Sequence, residues 1–183
     1  MEPSDAELMR RWQGGDTASF EEIVRRWQGR VGRLLARLAG PSVAPDLCQE
    51  VFLRLYRAGA RYREEGAFTT WIYRMALNVA RDAGRRRRDC AALGNYEPLD
   101  DTAPHDALCR REAVELVTRA LTQLPASLRE VLVLRHYEGL SFEEIGRLTH
   151  VPASTLKSRF AVALDRLRVR LEELGCRPEE NAS

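Results

Sequence analysis

Residues 141–160 read SFEEIGRLTHVPASTLKSRF, and the fold of the C-terminal half turns on this stretch. Ser141 and Glu144 have the spacing of a capping box, so a helix is expected to start there. Ile145 and Leu148 can share its buried face, and Gly146 lets a second helix cross closely because it carries no side chain. The turn spans about Thr149 to Val151, and Pro152 suits the first position of the next helix. Leu156, Phe160, Leu164, Leu167 and Leu171 then recur at spacings of four and three as one apolar stripe. The opposite face carries Ser154, Lys157 and Ser158, side chains able to reach phosphates or base edges. This is the pattern of a helix-turn-helix and points to double-stranded DNA; a plain helical hairpin is the blander alternative.

Working outward, the chain of 183 residues, 44% of them hydrophobic, is long enough for one domain or two small ones. The acidic, mixed opening MEPSDAELMRRW has no apolar core run of the kind a signal peptide needs. No stretch approaches the apolar length of a membrane span, so a soluble cytoplasmic protein is expected. Net charge is only +2, which argues against a generally basic nucleic-acid glue, but its distribution is uneven. Residues 54–88 hold ten arginines against Glu64, Glu65 and Asp82, whereas residues 89–112 hold six acids against Arg110 and Arg111. A basic block followed by an acidic stretch containing proline predicts a domain edge and then a linker. The expected division is 1–89, a linker over 90–107, and 108–176.

Cys48, Cys90, Cys109 and Cys176 form no CxxC pair, and free thiols are the expectation. His105 and Cys109, with Asp100, Asp101 and Asp106 nearby, could supply half a metal site. The spacing signature of a complete ligand set is absent, so no metal or other cofactor is expected.

The N-terminal part reads as helix, with no alternating strand pattern of useful length. Ser4 and Glu7 offer a capping box for a helix ending near Gly14. Asp16 can cap a second, with Phe20, Ile23, Val24, Trp27, Val31, Leu34 and Leu38 along its inner face until Gly40 and Pro41 stop it. In the third, Pro45 to Arg57, Leu47, Val51, Leu55 and Cys48 cluster inward, while Asp46, Gln49, Glu50, Leu53 and Arg57 fall opposite. A leucine ringed by carboxylates, an amide and an arginine suits the apolar centre of a partner-binding patch. The fourth runs from about Thr70 to Arg88 with Ile72, Met75, Ala76, Val79 and Ala83 buried. Arg74, Asn78, Arg81 and Arg85 project from one narrow stripe of it, suited to phosphates and base edges. Ahead of it the loop RYREEGAFTTW, Arg61 to Trp71, sets Tyr62 and Phe68 among arginines including Arg63, a composition on which unstacked bases can pack. Trp27 and Trp71 are read as core anchors.

With both halves in view the chain resembles the extracytoplasmic-function sigma factors. The resemblance rests on DLCQEVFLRLYR, FTTWIYRMALNVARD and LPASLREVLVLRHYEGLSFEEIGRLTHVPASTLKSR, which stand in the family's order over about residues 5–88 and 108–174. It implies an all-α protein of two small helical domains joined by a flexible linker, without catalytic chemistry of its own. Core RNA polymerase is the implied partner, its clamp region contacted by Asp46, Gln49, Glu50, Leu53 and Arg57. Promoter DNA is the other. Its −10 element would be held by Arg61, Tyr62, Arg63, Phe68, Arg74, Asn78, Arg81 and Arg85, with a flipped base in the loop. Its −35 element would be met by Ser154, Thr155, Lys157, Ser158 and Arg159 in the major groove. Members are frequently silenced by an anti-sigma protein, which makes one a candidate partner here, although no residue identifies it.

This sequence departs from the family after KSR, where Ala161 and Val162 stand outward in place of frequent arginines. A thymine-rich −35 element contacted through its methyl groups, or weak binding, is the expected consequence. His150 replaces a frequent glycine in the turn; histidine enters the left-handed region more readily than most residues. The rival readings are a stand-alone helix-turn-helix regulator, which would call for a dimerisation helix not evident here, and a small enzyme using Asp100, Asp101 and His105, which lie where little packing could support a site.

Overall fold

The computed structural model describes residues 2–60, 62–63, 67–92 and 108–174. It divides into two compact units, Met1–Pro98 and Leu99–Ser183. Among the described residues every regular element is helical. Residues 93–107 of the expected linker, His105 included, fall outside those residues, as do Arg61 and Gly66, while residues 90–92 continue a helix. Of the cysteine side chains only Cys48 is described, and it is a free thiol.

In the first unit, α1 (Asp5–Gln13), α2 (Thr17–Ala39), α3 (Ala44–Gly59) and α4 (Phe68–Ala92) pack as a bundle in which α2 touches the other three. Both expected caps form. The Glu7 amide donates to Ser4 Oγ at 3.2 Å while the Ser4 amide donates to Glu7 Oε2 at 2.8 Å. The Ala18 amide donates to Asp16 Oδ1 at 3.1 Å. Ile23, Val31, Leu34, Val51, Leu55, Ile72, Ala76 and Val79 are buried at the centre, as their spacing predicts. Tyr73 and Leu77 are buried as well, because α4 is packed by both α2 and α3 and needs a wider apolar face than one stripe. Trp27 is the expected anchor: its ring meets Phe68 and Tyr73, and its Nε1 donates to Asp5 Oδ2 at 3.1 Å, tying α1 to α2. At the end of α3 a methyl group on Gly59 would lie 1.9 Å from the Trp12 ring, so only glycine admits the indole there.

The second unit holds α5 (Leu108–Gln123), α6 (Ala126–Leu132), α7 (Phe142–Thr149) and α8 (Ala153–Glu173), with α8 against the other three. Between α6 and α7 the chain makes a π-helical turn, Val133–Tyr137, closed by the Glu138 amide on the Val133 carbonyl at 3.3 Å. Four consecutive residues, Val131 to Leu134, are buried where α6 runs into this turn.

The helix-turn-helix is α7 and α8. The Glu144 amide donates to Ser141 Oγ at 3.1 Å and the Ser141 amide to Glu144 Oε2 at 2.7 Å, completing the second capping box. His150 takes the left-handed conformation, φ 59° and ψ 33°, and its amide closes on the Gly146 carbonyl at 2.8 Å. Pro152 precedes the helix as its cap residue, one place before its expected position. The α8 stripe also differs from expectation. Leu156 and Ala163 are buried, Phe160 packs on Phe142, and Leu164 is 44% exposed. Ala163 takes the inward place three residues past Phe160, and Leu164, about 100° further round the helix, is left outside.

Gly146 sits under the turn, where a Cβ would stand 2.9 Å from the Val151 carbonyl oxygen. Alanine favours a helix over glycine by about 1 kcal/mol, but here the close neighbour is backbone. Gly146→Ala is expected to destabilise the second unit by about 1–3 kcal/mol through overpacking. Urea unfolding would measure it, and an unchanged or raised midpoint would rule out the close contact.

The two capping boxes also set an acid limit. Hydrogen bonds from the Ser141 amide, then from its side chain, hold the Glu144 carboxyl below the ordinary glutamate range. Ser4 does the same for Glu7. A depressed folded pKa means that the stabilisation is complete above the unfolded value, about 4.3, and fades as pH falls through the folded one. Helicity of the second unit should therefore weaken as acid protonates Glu144, and Glu144→Gln should flatten that part of the circular-dichroism titration. An unaltered acid profile in the variant would count against the box.

Candidate nucleic-acid and protein interfaces

The outer face of α3 is built as its helical spacing predicts. Leu47, Val51 and Leu55 point into the core, which forces Asp46, Gln49, Leu53 and Arg57 outward, all exposed. Leu53 is 43% exposed. Glu50 is half-buried at the edge toward α4, where its Oε1 accepts from Arg54 Nε at 2.7 Å. Tyr56, one turn beyond Leu53, is 54% exposed and lies against Trp12 and Phe20. The sequence reading missed it. Its spacing of three from Leu53 could have found it, and together they make the apolar part of this face.

The loop before α4 divides. Arg63 is exposed, and Tyr62 is half-buried with its ring 4.9 Å from Trp71 and 6.0 Å from Phe68. The Tyr62 carbonyl accepts from Gln13 Nε2 at 3.0 Å, fastening the loop to α1. Phe68 must be corrected. It is only 6% exposed, in edge contact with Trp27, Tyr62 and Trp71, so no base can stack on it. It opens α4 as a core residue and positions the loop.

On α4 the polar stripe is open. Arg74, Asn78 and Arg85 are exposed and Arg81 is partly so, opposite buried Ile72, Ala76 and Val79. Arg86 and Arg88 are exposed as well and extend the positive surface. Asp82 lies beside the stripe and binds Arg85 on one oxygen and Arg54 of α3 on the other. The Arg54 guanidinium, bonded to Glu50 and then to Asp82, is held more basic than usual. Burial raises the Cys48 thiol, whose Sγ faces the Gln28 carbonyl at 3.8 Å. That leaves little thiolate for chemistry.

In the second unit, Ser154, Lys157 and Ser158 are exposed on α8, with Thr155 and Arg159 partly so. The Ser158 hydroxyl donates to the Ser154 carbonyl at 2.9 Å, so its acceptor lone pairs are what it offers outward. An open groove of about 330 Å³ is lined by Leu128, Ser154, Thr155, Ser158, Arg159 and Val162. Ala161 and Val162 face outward as expected. These five polar residues share one end of a helix, with a half-apolar trough along its side. No group of three or more metal-ligating side chains occurs among the described residues, and no helix there is long and apolar enough to cross a membrane.

Comparison with known proteins bears on both units. Residues 23–89 match Sigma-70 region 2, and residues 114–167 match Sigma-70, region 4. The chain is 33% identical to the RNA polymerase sigma-H factor of Pseudomonas aeruginosa, over 93% of this chain and 95% of that protein. It is 32% identical to the ECF RNA polymerase sigma-E factor of Escherichia coli, over 93% and 96%. Among solved structures it resembles the sigma factor RpoE of Bartonella quintana in complex with the anti-sigma factor NepR. The TM-score is 0.71 at 21% identity, covering 84% of this chain and 96% of that one. It also resembles CnrH in complex with the cytosolic domain of CnrY, with a TM-score of 0.67 at 22% identity over 92% and 97%. At those identities the structural likeness concerns the fold.

Proposed function

The chain belongs to the extracytoplasmic-function family of RNA polymerase sigma factors, and from that premise we propose how its surfaces divide the work of promoter recognition. The outer face of α3 docks on the clamp region of core polymerase. Leu53 is the apolar centre, and Asp46, Gln49, Glu50 and Arg57 surround it with charge and hydrogen-bonding groups. Depleted of charge at its middle and polar at its margin, such a patch has the anatomy of a protein interface.

The α4 stripe takes the −10 element. Arg74, Arg81 and Arg85 neutralise phosphates, and Asn78 supplies an amide that can pair with a base edge. Extruding a base costs a few kcal/mol, which stacking and phosphate contacts must offset. With Phe68 in the core, base capture falls to Tyr62 with Arg61 and Arg63. In the second unit, the first turns of α8 enter the major groove at the −35 element, with Ser154, Thr155, Lys157, Ser158 and Arg159 contacting DNA. Binding and positioning are the whole contribution, and bond formation stays with the polymerase in the cytoplasm. An inhibitory protein of the anti-sigma kind is a further partner on this reading, since RpoE of Bartonella quintana, a protein of like fold, was solved with one.

The observation that supports this reading most is the open stripe of Arg74, Asn78, Arg81 and Arg85, all outside the core. The test is reconstitution. Purified chain added to core polymerase should yield promoter-dependent transcripts from its own genome that core alone does not make. No association with core and no transcripts from any promoter would overturn the proposal.

A further inference from the structure

The ion pairs of the first unit include one set that joins its two working faces. Four side chains of alternating charge run from α3 to α4. Arg54 Nε donates to Glu50 Oε1 at 2.7 Å, one turn back on α3. Arg54 NH1 crosses to Asp82 Oδ2 on α4 at 3.1 Å. Asp82 Oδ1 accepts from Arg85 NH2. Glu50 sits at the edge of the polymerase-docking face and Arg85 in the DNA-facing stripe. Arg54 and Asp82 belong to neither face and connect them.

The geometry makes Asp82 a contested acceptor. Each of its oxygens serves a different guanidinium, and a bidentate fork with either arginine would need both. Arg54 meets Asp82 through NH1, while its Nε is bonded to Glu50. The Arg54 and Asp82 side chains are 34% and 29% exposed, against 66% for Arg85. The inner pair is thus less screened by salt than the outer one, and Arg85 is the member free to swing away.

We propose that Arg54 and Asp82 are positioning residues that couple polymerase docking to DNA contact. The coupling rests on the roles given above to α3 and α4. While Glu50 holds Arg54, Asp82 retains Arg85 and masks its charge. When a cationic group of the polymerase engages Glu50, Arg54 turns fully onto Asp82 and uses both oxygens. Arg85 is then released to a phosphate. The free protein therefore binds DNA with one cation fewer than its docked form.

Salt dependence reads that difference directly, because each phosphate neutralised on duplex DNA adds about 0.9 to the slope of log affinity against log salt. The full-length chain alone is titrated onto fluorescently labelled duplex DNA by anisotropy at several salt concentrations. Asp82→Asn removes the mask, and Glu50→Gln frees Arg54 to displace Arg85 with Asp82 still in place. Each should steepen the slope by about 0.9. Adding Arg85→Ala should abolish the gain in both. Glu21→Gln, on the exposed side of α2, makes the same change in net charge and should leave the slope unaltered. Glu50→Gln keeps the inter-helix pair and so remains informative if Asp82→Asn fails to fold. Slopes matching the Glu21→Gln control, or a gain that survives Arg85→Ala, would overturn the coupling. Wild-type chain with core polymerase is assayed in parallel. Promoter-dependent transcripts with unchanged slopes would remove the coupling alone. No association with core would remove the docking role of α3, and the coupling with it.

Discussion

Leu53→Asp is expected to weaken association with core RNA polymerase by about 30-fold or more, the effect of losing an interface residue worth about 2 kcal/mol. Leu53 stands 43% exposed beside Tyr56, at the centre of a face otherwise made of Asp46, Gln49 and Arg57. Docking would bury it, and an aspartate there would have to lose its hydration without a partner. The fold should hardly register the change, because exposed substitutions usually alter stability by no more than about 0.5 kcal/mol. Affinity for core from a fluorescence titration and thermal unfolding of the free chain separate the two effects. Parallel loss in both measurements would make Leu53 a folding residue, and full retention of affinity would move the docking face elsewhere.

The second large effect concerns DNA opening. Arg81 lies in the middle of the α4 stripe, between Asn78 and Arg85. A hydrogen bond to a charged group contributes about 1.5–3 kcal/mol, so Arg81→Ala should slow formation of heparin-resistant open complexes by about tenfold to a hundredfold. Affinity for core polymerase should stay at the wild-type value. If core binding falls by the same factor, Arg81 serves docking or the fold instead, and the unfolding midpoint of the variant decides which.

Much of this architecture could be read from the chain because the decisive signals are local. A capping box needs only Ser141 and Glu144, or Ser4 and Glu7, at a fixed spacing, and both formed as read. The outward positions on α3 and α4 follow from helical periodicity once Leu47, Val51, Ile72 and Val79 are assigned inward. The misreadings arise where a third element intervenes. Phe68 stands in an arginine-bearing loop by sequence, but Trp27 on the distant α2 closes over it. Leu164 continues a heptad-like stripe on paper, yet Ala163 takes the inward place and Leu164 stays exposed. The π-helical turn at Val133 leaves no signature in hydrophobic spacing, since four buried residues in succession fit a strand as well as a helix. The bridge from Glu50 through Arg54 and Asp82 to Arg85 joins residues of two helices, and no single-helix pattern discloses it.

The central claim is that this chain, seated on a polymerase, separates promoter strands through the basic surface of its first unit. Permanganate oxidises unpaired thymines and so reports that event directly. With chain, core polymerase and a promoter together, thymines of the −10 region should become reactive, strongly with wild type and weakly with Arg81→Ala. Reactivity that is absent with the wild-type chain bound, or undiminished in the variant, would contradict the account.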